Sequence, residues 1–185
     1  MNLIAIACLG FTALVLTTTV GATEAADSPC VDRLTAESAA KIGGARLPEL
    51  RYECIRLASG RSLWVGETGN AAGEAVLLVH GLGNNAHRDW RNVIPALAPT
   101  FRVVALDLPG FGASESLAKD LSFNRLAAVL DEVMSLRQIE RAHVIGHSLG
   151  GALSLHFGHR YPQRVNRMVL VDVAGILQRS VYTRF

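Results

Sequence analysis

Two short runs hold the residues with chemical potential. Gly146-His147-Ser148-Leu149-Gly150-Gly151 follows an apolar run at 142–145, and His80-Gly81-Leu82-Gly83 follows another at 75–79. A serine with glycine two residues before and two after it, where a strand turns sharply into a helix, is placed to act as a covalent nucleophile. The backbone at such a serine is strained and side chains on either side would collide, so glycine is the permitted type at 146 and 150. The helix that starts there points its positive dipole end at the hydroxyl and favours developing negative charge. Ser148 is thus the candidate nucleophile. The plainer alternative is a glycine-rich helix start in which Ser148 serves only as an N-cap.

These residues must be positioned by a sheet. The runs at 75–79 (AVLLV), 101–106 (FRVVAL), 142–145 and 167–171 (RMVLV) are short and almost wholly apolar, as expected of parallel strands covered on both faces. Residues 123–136 carry Leu126, Val129, Leu130 and Val133 at helical spacing. A second helix is predicted from 148 to about 161, stopped by Pro162. Upstream, 49–58 and 61–68 are extended runs joined by Ser59-Gly60, a β-hairpin signal. Strands alternating with helices predict an α/β fold: a doubly wound, mostly parallel sheet with an N-terminal β-hairpin.

Composition narrows the function classes. With 185 residues, half of them apolar, the chain suffices for one substantial core. Its 18 basic and 16 acidic residues nearly cancel, and no Lys/Arg run marks a nucleic-acid surface. Residues 1–22 combine an apolar stretch with a small-residue end, which predicts an export signal; an uncleaved membrane anchor is the alternative. Residues 23–48 read as a polar lead-in with one short helix near 35–42. Export leaves Cys30 and Cys54, which predicts either a disulfide or two unrelated thiols.

The motifs AVLLVHGLG, DLPGFGAS (107–114) and VIGHSLGG (144–151), in that order and spacing, resemble the α/β-hydrolase superfamily, in particular its esterase, C–C hydrolase and perhydrolase-like branch. The resemblance spans about 52–175, so that 49–175 is expected to form the first part of the hydrolase core and 176–185 the start of a cap. It implies Ser148 as nucleophile and the backbone N–H groups of Leu82 and Leu149 as an oxyanion hole. Gly146, Gly150, His80 and Gly81 would be structural at the site, with His80 pinning its turn rather than acting as base. His147 would pack or line the pocket. His156, two turns along the helix, would stand about 12 Å from Ser148, too far for a hydrogen bond. Asn84, Asn85, His87 and Trp90 could line the entrance, with ordinary packing the simpler role for Trp90. Asp107 would fix backbone. Asp172 is a candidate triad acid, or else a strand-end residue bonded to nearby backbone.

Relatives that attack with Asp open epoxides or displace halide, whereas Ser148 suits ester, thioester, lactone, amide or C–C cleavage. Acyl transfer to an acceptor other than water would use the same acyl-enzyme. A non-catalytic binding protein on the same fold is the alternative of a different class. The resemblance implies a small-molecule acyl substrate, no metal and no organic cofactor. The family's residue order, Ser then acid then His, further predicts that the 185 residues alone are inactive and stop short of the base.

Overall fold

The computed structural model describes residues 50–83, 86–117 and 120–175. The predicted signal at 1–22, the lead-in at 23–48 with its helix, and the predicted cap start at 176–185 lie outside the described residues.

Among the described residues six strands form one sheet: β1 (Arg51–Arg56), β2 (Ser62–Gly69), β3 (Ala75–Val79), β4 (Arg102–Leu106), β5 (Ala142–His147) and β6 (Val165–Val171), in the spatial order β1-β2-β4-β3-β5-β6. β1 and β2 make the hairpin, β2 runs antiparallel to β4, and β4, β3, β5 and β6 are mutually parallel. The helices are α1 (Ala86–Trp90), α2 (Ile94–Leu97), α3 (Phe123–Leu136) and α4 (Leu149–Arg160). The two short helices α1 and α2 carry no periodic signal long enough to be read from sequence.

Side-chain alternation along the strands divides the core into two layers. Leu77, Val79, Val104, Leu106 and Val144 pack with Leu130, Val133 and Leu153 of α3 and α4. Val76, Leu78, Val103 and Ala105 pack on the opposite face with Trp90 and Ile94. All five residues of β3 are buried, which explains their uninterrupted apolar character. Each of its valines and leucines contributes about 1.5–3 kcal/mol of burial free energy. The helices thus cover both faces of the sheet, as expected of a doubly wound fold.

The chain leaves β3 for β4 on one side and returns through α3 to β5 on the other. Strand order reverses at β3, and the loops after β3 and β5 open side by side at the carboxyl edge, where such sheets bind ligands. Among the described residues β6 is the outermost strand at that side of the sheet, with Val169 and Val171 exposed. Cys54, on β1, is disulfide-bonded, while Cys30 lies outside the described residues.

Candidate active site

Ser148 sits between the end of β5 and the first residue of α4 with φ 51° and ψ −115°, a left-handed conformation that costs about 1–3 kcal/mol in a non-glycine residue. Three backbone hydrogen bonds hold it there. Its N–H donates to Val171 O at 2.9 Å, and its carbonyl accepts from Ala174 N at 3.0 Å and Ala152 N at 3.2 Å. Although Ser148 occupies the N-cap position of α4, its side chain caps no backbone N–H. The simple capping reading therefore does not describe this serine.

The glycines allow the turn to close. A Cβ on Gly146 would stand 2.5 Å from Gly150 O, and one on Gly150 would run into the carbonyl oxygens of Val79 and His80. α4 thereby starts in direct backbone contact with the end of β3. The loop after β3 is equally near: a Cβ on Gly81 would lie 3.0 Å from Ser148 Cβ and 3.1 Å from His147 Nδ1. Among the described residues, the amides of Leu82 and Leu149 donate to no protein atom. Leu82 is 74% exposed, so its side chain faces out from the loop.

His80 is fully buried. Its Nε2 accepts from Leu108 N at 2.9 Å, which fixes the proton on Nδ1, 2.7 Å from Gly81 O as a donor. Burial is the largest influence on it and pushes the imidazole pKa down, against smaller opposing effects from Gly81 O, Asp107 and Asp89. With both nitrogens occupied, this ring pins the loop and offers nothing to Ser148. Asp107 braces the neighbouring turns, accepting from Ala86 N at 2.7 Å and Ala113 N at 3.1 Å.

Asp89 was not legible as a site residue. Its Oδ2 accepts from Gly81 N at 2.9 Å and lies 3.2 Å from His147 Nδ1. His147 in turn makes an edge-to-face contact with Trp90 at 6.4 Å between ring centroids. Trp90 is buried and packs in the core layer of α1 and α2. In sequence Asp89 is only an acid beside a tryptophan, shortly after the glycine loop, and an acid in such a place is most simply a solvated surface charge.

The other candidates fall elsewhere. His156 bonds Asn124 on α3 at 2.9 Å, and His143 pairs with Glu74 at 3.1 Å near the other end of β5. Asp172 follows β6 at φ 43°, exposed, between the Val171 and Ala174 groups that bond the Ser148 backbone. No side-chain bond from Asp172 to backbone is formed among the described residues. Asn84 and Asn85 lie outside those residues. No group of three or more His, Cys, Asp or Glu among the described residues is placed to hold a metal ion. A cavity of about 650 Å³ lies by the hairpin, lined by Arg51, Trp64, Glu67 and Arg102, and none of the elbow residues borders it.

Comparison with known proteins agrees with this geometry. The family profile described as alpha/beta hydrolase fold matches residues 74–181. An uncharacterized protein of Mycobacterium tuberculosis H37Rv is 39% identical over 105 residues, 57% of this chain and 30% of its own length. The 2-hydroxymuconate semialdehyde hydrolase of Pseudomonas sp. CF600 is 38% identical over 137 residues, 70% of this chain and 45% of that one. Among solved structures, a meta-cleavage product hydrolase mutant from Pseudomonas fluorescens IP01, complexed with acetates, superposes with a TM-score of 0.62 at 36% identity, covering 66% of this chain and 45% of the other. The chain belongs to the α/β-hydrolase fold family. It spans less than half the length of these relatives.

Proposed function

We propose that this chain carries the nucleophile half of a serine hydrolase that cleaves an ester or a related acyl or C–C bond through an acyl-enzyme on Ser148. The observation that carries this reading is the strained serine whose hydroxyl caps nothing, beside two amides, Leu82 and Leu149, that donate to no protein atom among the described residues. The Ser148 Oγ attacks the substrate carbonyl, its proton passes to a general base, and the carbonyl oxygen becomes an oxyanion received by the two amides. Collapse of the tetrahedral intermediate breaks the bond to the leaving group, which takes the proton. Water then attacks the acyl-serine and frees the acid. Among the described histidines, His80, His143, His147 and His156 are each bonded to another group, and none of these four is proposed as the base. The hydrolase names of the relatives support a small acyl or C–C substrate.

The disulfide at Cys54 and the character of residues 1–22 support export to an oxidising compartment. N-terminal sequencing of the mature protein tests this, with a start near residue 23 expected. For the chemistry, the full protein is treated with a fluorophosphonate probe and digested. Modification at Ser148, absent in Ser148→Ala, is expected. Equal labelling of both proteins would overturn the serine-hydrolase reading, and no labelling of either would favour a binding protein on the same fold.

A further inference from the structure

We infer that Asp89 is a positioning residue for the oxyanion hole, holding the loop after β3 in register with Ser148; the inference rests on the serine-hydrolase reading above. Three observations converge on its carboxylate. Oδ2 accepts the Gly81 N–H at 2.9 Å. The same oxygen lies 3.2 Å from His147 Nδ1, and His147 immediately precedes Ser148. Oδ1 lies 3.6 Å from where a Cβ on Gly83 would stand. One carboxylate therefore lies against both residues that flank Leu82 and also holds the side chain preceding the nucleophile.

The arrangement has a physical logic. The loop carrying Leu82 is short and glycine-rich, and the peptide plane that carries the Leu82 N–H is held at its Gly81 carbonyl by His80 Nδ1. Capturing the Gly81 N–H on a carboxylate holds the peptide plane on the other side of Gly81, so both planes that meet at this residue are tied down, one by His80 and one by Asp89. An ionised carboxylate only accepts, so the proton of the shared contact sits on His147 Nδ1. The ring is thereby tied to the same oxygen that restrains Gly81, and the loop and the elbow move as one body. Asp89 also carries a negative charge close to a developing oxyanion, which would oppose catalysis if the charge were bare. The Gly81 amide and the His147 ring N–H absorb it. An oxyanion donor displaced by a fraction of an ångström loses much of its effect, so Asp89 acts on the rate without touching substrate.

The test uses the full protein and short p-nitrophenyl esters, with active sites counted by fluorophosphonate titration so that misfolded enzyme is excluded. Asp89→Ala is expected to lower kcat per titrated site about 10- to 100-fold with KM changed less than about threefold. Its affinity for a boronic acid, which forms a tetrahedral adduct on the serine, should fall in parallel with kcat. Asp89→Asn keeps an acceptor for Gly81 N–H and should recover most of both losses. An Asp89→Ala enzyme with wild-type kcat and boronate affinity per titrated site would overturn the inference, as would a loss confined to the number of titrated sites. If wild type itself shows no Ser148-dependent turnover, the serine-hydrolase reading fails first, and the Ser148→Ala control identifies that case.

Discussion

The imidazole of His80 accepts the amide proton of Leu108 at 2.9 Å, joining the loop after β3 to the loop after β4. The bond is buried, and the ring's other nitrogen is committed to Gly81 O. His80→Ala would leave the Leu108 N–H unsatisfied and open a cavity under Phe111, whose ring stands 5.3 Å from the imidazole. The expected cost is about 2–4 kcal/mol, measured by urea denaturation of the two proteins.

His80 also gives stability a pH dependence. Its pKa in the fold lies below the ordinary 6.5, chiefly through burial. Above pH 6.5 neither state protonates it and its contribution is complete. As pH falls through 6.5 the unfolded chain takes up a proton that the folded chain refuses, so stability declines until the folded pKa is passed. Denaturation midpoints at pH 7.5 and 5.5 should therefore differ more in wild type than in His80→Ala. Equal differences would assign the acid sensitivity to other groups.

Ser148→Ala in the full protein should reduce turnover of short acyl esters below about a thousandth of wild type. The thermal midpoint should change little, because the hydroxyl makes no capping bond that the fold would lose. Steady-state kinetics beside differential scanning fluorimetry checks both halves of the statement.

Gly146→Val and Gly150→Val should fail to give soluble protein, since each new side chain would press on backbone atoms that have no room to retreat. Gly83→Ala is the matched control. Among the described residues a Cβ there meets Asp89 Oδ1 at an ordinary 3.6 Å, and folding should survive. Soluble yield and circular dichroism of the three variants decide the matter.

Residues 23–185 alone should hydrolyse p-nitrophenyl acetate no faster than their own Ser148→Ala variant. His80 has both nitrogens engaged, His147 faces Asp89, and His143 and His156 are bonded to Glu74 and Asn124. With none of these four histidines free to take the Oγ proton, the serine would stay protonated and only a residual rate would remain. Robust Ser148-dependent hydrolysis by a folded monomer would redirect attention to His159, exposed in the last turn of α4, or to a rearranged His147.

The strands and the two long helices were legible because burial on both faces and a helical stripe leave strong marks. Residues 123–136 were predicted as the helix that α3 occupies. The elbow at Ser148 was legible because its steric demands fall on residues two apart in sequence. The placement of β2 against β4 rather than β3 was not, since hydrogen-bonded neighbours leave no trace in an apolar run. Asp89 escaped for a related reason. Its partners Gly81 and His147 lie 8 and 58 residues away, and a carboxylate that receives backbone amides looks in sequence like any surface acid.

The bonds from Ser148 N–H to Val171 O and from Ala174 N–H to Ser148 O make the end of β6 the brace against which the unfavourable serine conformation is held. A spring is only as tight as its anchor. If β6 frays, φ at Ser148 is free to relax toward negative values, and the hydroxyl leaves the position that the proposed attack requires. The strain at Ser148 is therefore a reading of how firmly β6 docks beside it. The exchange rate of the Ser148 amide proton would report it directly, slowing whenever the sheet edge beyond β5 is secured.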